Sequence, residues 1–284
     1  MSRIAYVNGR YLRHGEAGVS IDDRAFVFGD GVYEVCEVRG GALIDEDRHL
    51  ARLARSLSLV RIAAPLTEPA LRCVLREVVA RNRVCDGLVY FQITRGAARR
   101  DFPFPLSAKP GIVITAKNLD PRLNEARAAE GIKVVTAPDE RWARPHIKSL
   151  QLLPNVLAKQ NAREAGAYET WFVDKAGFVT EGSSSNAWIV TAQGRLVTRP
   201  LDGAILPGVT RATLIEVAAR LGLVFEERAF TLSEAFEARE ALMSSATTIA
   251  LPVVAIDERP VGEGQPGPAA RALRARFHDT ARRT

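Results

Sequence analysis

A chain of 284 residues, 47% of them hydrophobic, is long and apolar enough to bury the core of one large or two medium domains, which excludes disorder as its default state. The net charge of +6 does not signal a polyanion partner: Lys and Arg are interleaved with Asp and Glu except at Arg99-Arg100 and Arg282-Arg283, and no stripe of basic and aromatic residues accompanies them. No stretch approaches the ~20 apolar residues of a membrane span, and the amino terminus MSRIAYVNGRY reaches an Asn8-Gly9 turn where a signal peptide would place an apolar run. The three cysteines, Cys36, Cys73 and Cys85, read as free thiols of a reducing compartment, and the four histidines show no metal-ligand spacing. The expectation is a cytoplasmic protein with no nucleic acid, no membrane and no metal.

Along the chain, Ile4 to Val7, Asn8-Gly9 and Tyr11-Leu12 read as strand, turn, strand, and Val32 to Val38, Gly40-Gly41 and Ala42 to Ile44 repeat the signal. Helical period follows in DEDRHLARLARSLSLV, where Leu50, Leu53, Leu57 and Val60 share a face, and in Leu71, Val74, Leu75, Val78 and Val79 behind a Thr67 cap. Alternation returns in Gly87 to Gly96 and Gly111 to Asn118, which makes the first part a sheet with two helices. The polar stretch after it, which contains Pro121, reads as a linker over 119–126 between a smaller domain (1–118) and a larger one (127–284). In the larger domain, strands are predicted at Ile132 to Thr136, Tyr168 to Val173, Phe178-Val179, Ala187 to Val190 and Leu196-Val197. Helices are predicted from Pro154 to Ala165 and Gly208 to Leu221, with another after the Thr231-x-x-Glu234 capping box.

Two charged residues carry the chemistry. Lys148 lies in IKSLQLLPNVLAKQ among Ile147, Leu150, Leu152 and Leu153; a buried ammonium is costly, and a neutral amine in such a setting condenses with a carbonyl. Glu181 in TEGSSSN precedes small polar residues able to fix its carboxylate, so it is a candidate for holding a heterocyclic nitrogen protonated. Together they point to a Schiff-base cofactor. A Lys between aliphatics also fits a snorkelling helix-edge residue, and Glu-Gly-Ser-Ser also fits a plain turn. LPGVTR offers backbone N–H groups and the Thr210 hydroxyl at a helix start, suited to an anion; an ordinary Pro-Gly turn into a helix is the other reading.

The segments FVFGDGVYEV, IKSLQLLPNVLAKQ, YETWFVDKAGFVTEGSSSN and LPGVTR occur in this order, and the chain resembles the class IV, fold-type IV pyridoxal-phosphate aminotransferases, in particular the D-amino-acid transaminases. The resemblance covers the chain from Tyr6 to about Asp257. It implies an α+β, two-domain fold-type IV architecture of mixed sheets with flanking helices, and pyridoxal 5'-phosphate as cofactor. It makes Lys148 the residue that joins the cofactor aldehyde and shuttles the substrate proton, and Glu181 the partner of the pyridinium. It also implies Val209, Thr210 and Arg52 as phosphate ligands, with Leu206 on a ring face. Ser245, Ala246 and Thr247 then lie against the phosphate, and Ser184 and Arg141 near the ring and its phenolic oxygen.

For the substrate carboxylate the resemblance implies Tyr33 together with an Arg-x-His loop supplied by the neighbouring subunit of a homodimer. Arg100 matches the Arg, but Phe102 stands at the His position. Losing a polar partner from such a trap costs ~1 to 3 kcal/mol. The implied activity moves an amino group between a D-amino acid and a 2-oxo acid such as 2-oxoglutarate. A branched-chain or (R)-amine transaminase, or aminodeoxychorismate lyase, would use the same scaffold, and a non-catalytic binding protein is the reading of a different class.

Overall fold

Residues 3–284 are described by the computed structural model, which divides into two units. The first runs up to Pro121 and takes in Ile147–Gln151 and Arg282–Thr284. The Asn8-Gly9 turn joins β1 (Ile4–Val7) to β2 (Arg10–Arg13). After a short helix α1 (Arg24–Phe28) come β3 (Gly31–Arg39), β4 (Ala42–Leu43), α2 (Glu46–Val60), α3 (Glu68–Arg81), β5 (Gly87–Thr94) and β6 (Gly111–Asn118). All six strands pair antiparallel in the order β2-β1-β6-β5-β3-β4.

Alternation along β3 decides what the sheet buries. Val32, Glu34, Cys36 and Val38 are buried, while Tyr33, Val35 and Glu37 on the other face are half-buried. The predicted stripe of α2 sinks Leu50, Leu53 and Leu57, and α3 sinks Leu71, Leu75, Val78 and Val79. Each such aliphatic side chain contributes ~1.5 to 3 kcal/mol of burial. Thr67 occupies the N-cap position of α3, yet its hydroxyl makes no capping bond.

The second unit comprises Arg122–His146 and Leu152–Ala281. The segment that reads as a linker is mostly helix α4 (Pro121–Glu130). Its polar residues are tied down: Asn124 Nδ2 donates to the Thr247 carbonyl at 2.7 Å, and Glu125 pairs with Arg274 at 2.8 Å. There follow β7 (Ile132–Pro138), α5 (Leu153–Glu164), β8 (Glu169–Val173), β9 (Val179–Gly182), β10 (Asn186–Val190) and β11 (Leu196–Thr198). The unit ends with α6 (Val209–Arg220), β12 (Phe225–Glu227), α7 (Leu232–Phe236), β13 (Glu240–Ser245), β14 (Ile249–Ile256), β15 (Arg259–Pro260) and α8 (Pro268–Thr280).

Its sheet is mixed, in the order β12-β11-β10-β13-β14-β7-β8-β9 with β15 on β14. Parallel pairs join β7 to β8 and β14 to β7, and α5 falls in the crossover that a parallel pair requires. Trp171, Phe230, Met243 and Leu251 centre the core. The Thr231 and Glu234 capping box is formed at α7 as expected. The strand β14 escapes a reading by pattern because IALPVVAI carries Pro252. Pairing with β7 begins at Val253, so the missing N–H of Pro252 removes no bond to that strand.

Candidate active site

In the first unit, β4 pairs with β3 at Val38 and Arg39, which leaves the Gly31 end of β3 with an open edge. Ile147–Gln151 occupies it. The Tyr33 N–H donates to the Lys148 carbonyl and the Leu150 N–H to the Gly31 carbonyl, both at 3.0 Å, with Val32 and Ser149 bridging antiparallel between them. That register sets Lys148 opposite Tyr33, and opposed residues project from one face. The Lys148 Nζ accordingly lies 4.2 Å from the centroid of the Tyr33 ring. Gly31 is required here: a Cβ would meet the Ile93 carbonyl and Leu150 Cδ1, each at 2.7 Å.

Lys148 is half-buried, not caged by aliphatics. Ile147 is buried, Leu150 and Leu152 are half-buried and Leu153 is 68% exposed, and the register with β3 sets the amine opposite Tyr33. Tyr90 and Gln92 of β5 share the open face: the Tyr90 ring is 5.7 Å from that of Tyr33, and its hydroxyl donates to Gln92 at 2.7 Å. Burial, then the Tyr33 phenol, push the Tyr90 phenol up to about 12.

One residue beyond Tyr33, Glu34 points to the α2 side of the sheet. It receives Arg52 through two bonds of 2.7 and 2.8 Å, and His49 at 2.8 Å. Arg52 is therefore buried, tied to Glu34. Burial works to raise the Glu34 carboxyl, but the charge and hydrogen bonds of Arg52, with His49, outweigh it and hold the group at about 2. Burial lowers His49 despite its bond to Glu34.

The signs combine in acid. An unfolded chain protonates its histidine first, so stability starts to fall below about pH 6.5; the Glu34 contribution is complete above its ordinary value of 4.5 and disappears as pH drops through about 2. Urea unfolding followed from about pH 7 to pH 3 should show this two-part decline. Glu34→Gln should cost roughly 3 to 5 kcal/mol at the neutral end and flatten the acid limb; an unchanged profile counts against the triad.

The loop that follows β5 is anchored by buried Arg24, which donates to the carbonyls of Asp101 at 2.5 Å and Phe102 at 3.3 Å. The Phe102 ring is 77% exposed and 5.5 Å from that of Phe28. Arg100 sits over both rings, 5.3 Å from the Phe28 centroid and 5.9 Å from that of Phe102. Arg100 and Phe102 thus form one cluster, in which an aromatic face stands where the resemblance has a histidine.

In the second unit, Glu181 belongs to β9, and the turn follows it at Ser183–Ser185. Its carboxylate accepts from Asn186 Nδ2 at 2.9 Å, from the Leu206 N–H at 3.0 and 3.1 Å, and from Arg141 Nη1. Three donors on one buried carboxylate are the pattern of an ionised group. The resemblance puts Leu206 on a ring face, and here its backbone binds Glu181. It puts Arg141 near a phenolic oxygen; the Arg141 Nε and Nη2 grip Asp139 at 2.9 and 2.7 Å, and Nη2 also reaches Thr180 and the Ala204 carbonyl. Burial opposes the charge on Asp139, and Arg141 more than offsets it, keeping that carboxyl below its ordinary value.

Ser184 donates to Glu169 at 2.7 Å and Ser185 at 3.3 Å, and Ser183 donates to the same carboxylate. Buried Glu169 thereby fixes the turn from β9 to β10. At the start of α6, Gly208 is fixed by contact, since a Cβ there would lie 2.1 Å from Asn186 Oδ1. Val209 and Thr210 are buried in the first turn, whose N–H groups have no helical carbonyl to meet. Ser245 ends β13, and Ala246 and Thr247 lie in the turn to β14, where Ser245 Oγ is 2.7 Å from Thr248 Oγ1.

Asn186, Asp139, Glu169, Glu34 and His49 are not singled out by the sequence. Asn186 and Glu34 stand inside the quoted motifs, beside Glu181 across a tight turn and beside Tyr33 along a strand. Glu169 also stands inside a quoted motif, near the start of YETWFVDKAGFVTEGSSSN, whereas nothing local marks Asp139.

The fold and these two clusters define a class IV aminotransferase. The family model described as Amino-transferase class IV matches residues 31–256, and the chain belongs to that family. It is 38% identical over 273 residues to the D-alanine aminotransferase of Bacillus licheniformis, covering 96% of this chain and 95% of that one. It is 37% identical to the D-alanine aminotransferase of Staphylococcus haemolyticus, covering 96% of each chain. Among solved structures, the T.th. branched-chain amino acid aminotransferase with pyridoxamine 5'-phosphate superposes with a TM-score of 0.90 at 26% identity, covering 98% of this chain and 94% of that one.

The enzyme uses pyridoxal phosphate. The residues present fit that group. Asp139 and Glu181 set two carboxylates against the one guanidinium of Arg141, an excess of negative charge that suits a protonated ring nitrogen. No group of three or more His, Cys, Asp or Glu side chains among the described residues could hold a metal, and no helix among them is long and apolar enough to cross a membrane.

Proposed function

We propose that the chain is a transaminase that moves an amino group between a D-amino acid and a 2-oxo acid such as 2-oxoglutarate. The observation that carries this reading is the likeness, along 96% of the chain, to enzymes named D-alanine aminotransferase. When bound, pyridoxal phosphate supplies an electrophilic carbonyl and a conjugated ring that takes up the electron pair released at the substrate α carbon. Lys148 would hold the cofactor through its amine and would carry a proton to and from the substrate α carbon. Tyr33, held opposite it by the strand register, limits where the amine can swing. Glu181 keeps the ring nitrogen protonated.

Val209 and Thr210 offer the phosphate the first-turn amides of α6, and Ser245, Ala246 and Thr247 lie against it at the β13–β14 end, the Ala through its backbone amide. Arg52 adds a permanent charge. Arg100 takes the substrate carboxylate in a homodimer, a role supported by exposed Ile21, Phe26, Phe102 and Leu106 in the first unit. Three free thiols are in keeping with the cytoplasm.

Branched-chain L-amino acids are the second reading, favoured by the name of the solved structure above. The test is a half-reaction screen of the loaded enzyme against D-alanine, D-glutamate, L-leucine and (R)-1-phenylethylamine, read by the change in cofactor absorbance. D-amino acids should react fastest by ~10-fold or more, the discrimination that about 1.4 kcal/mol of differential binding provides. Preference for L-leucine or the amine overturns the substrate assignment and leaves the class intact.

A further inference from the structure

We propose that Arg141 is a positioning residue that keeps the proton shared by Glu181 and the cofactor ring nitrogen on the nitrogen; the proposal rests on the pyridoxal-phosphate reading of Glu181 above. The guanidinium is buried, and its position is fixed before any ligand arrives. Both Asp139 oxygens accept from it, at 2.9 Å from Nε and 2.7 Å from Nη2, and Asp139 is itself backed by the Thr180 hydroxyl at 2.8 Å. The Ala204 carbonyl takes Nη2 at 3.2 Å, and the Phe172 ring lies 4.9 Å from the guanidinium carbon. What remains is Nη1, and it is aimed at Glu181 Oε1.

This arrangement splits the work of holding a proton. Consider a proton between the Glu181 carboxylate and an aromatic nitrogen. On the nitrogen, it leaves a carboxylate that Arg141 stabilises at hydrogen-bond distance; on the carboxylate, it leaves a neutral acid from which Arg141 gains little. The guanidinium would also repel a protonated ring, but it is hydrogen-bonded to the carboxylate itself, and that contact decides. Asn186 Nδ2 and the Leu206 N–H act in the same direction, since both donate to the carboxylate. The charged groups facing Glu181 within this network are thus Arg141 directly and Asp139 behind it. Arg141 owes its fork to Asp139, and a single-point cation would lose either the clamp or the contact.

The test loads the enzyme with pyridoxal phosphate carrying nitrogen-15 in the ring and follows the ring resonance across the neutral pH range in the native enzyme and in Arg141→Met, Arg141→Gln and Arg141→Lys. The native resonance should sit at the protonated position. In Arg141→Met and Arg141→Gln it should move toward the unprotonated position and stay there independently of pH, because the proton has transferred to Glu181 without being lost. Arg141→Lys, which keeps a cation in this network but not the fork, should recover only part of the displacement.

An unmoved resonance in Arg141→Met or Arg141→Gln overturns the proposal. So does one that moves but titrates with pH, since that reports a Glu181 carboxylate that has swung away. An unprotonated native nitrogen overturns the role of Glu181 as well, and a native enzyme that takes up no cofactor overturns the reading beneath both. Glutamine retains polar contacts at this position, so at least one neutral variant remains available should methionine prevent folding.

Discussion

Lys148→Ala is expected to lower turnover by about 10⁴-fold or more, because one side chain performs both the covalent and the proton-transfer work. The structure separates this effect from a loss of fold. Lys148 is held through its backbone, which accepts from the Tyr33 N–H at 3.0 Å, while its half-buried side chain lies over the Tyr33 ring, outside the fully buried core. Ile147 and Ser149, its buried neighbours, are untouched by the change. The thermal midpoint should therefore move by only a few degrees, the loss of one cation–π contact of ~0.5 to 2 kcal/mol. Borohydride reduction of the native enzyme followed by peptide mapping gives an independent reading: the cofactor should be fixed to the peptide that contains Lys148. A label on another lysine, or residual turnover within ~10-fold of native, would sink the assignment.

Much of this site is legible in the sequence because its parts lie inside short segments with strong local signals. The alternation of GVYEV tells which side chains leave each face of β3, and so that Tyr33 and Glu34 part company. The glycines around α6 and the capping box at α7 mark helix ends that the structure retains. What escapes depends on contacts between distant segments. The leucines around Lys148 suggest a cage, whereas a free strand edge far back in the chain positions it. Arg52 looks like a lone cation off the stripe of α2; only the fold shows that Glu34 and His49 bury it. Polarity alone suggests a linker over 119–126, but Asn124 and Glu125 spend that polarity on the second unit and the segment is helical. Glu169 lies in the same motif as Glu181, but only the fold turns its carboxylate onto Ser183–Ser185; Asp139, which grips Arg141, lies outside the quoted motifs.

Glu181→Gln should slow removal of the substrate α proton by roughly 10² to 10³-fold, the scale of losing one well-placed electrostatic partner. The substitution keeps the shape of the side chain and an oxygen that can accept from the Leu206 N–H and Asn186, so the local hydrogen bonds need not collapse. It removes the charge that a protonated ring nitrogen answers to, and it turns a donor toward the place where an acceptor stood. Arg141 keeps both bonds to Asp139 and is not left as an uncompensated buried cation, which limits the cost in stability. Cofactor retention should change far less than the proton-transfer rate, because the α6 amides and the β13–β14 turn are not altered. Single-turnover kinetics with D-alanine, measured beside the dissociation constant for pyridoxal phosphate, separate the two. A variant with native half-reaction rates would show that Glu181 does not act on the ring; one that loses the cofactor outright would show that its carboxylate serves binding more than catalysis.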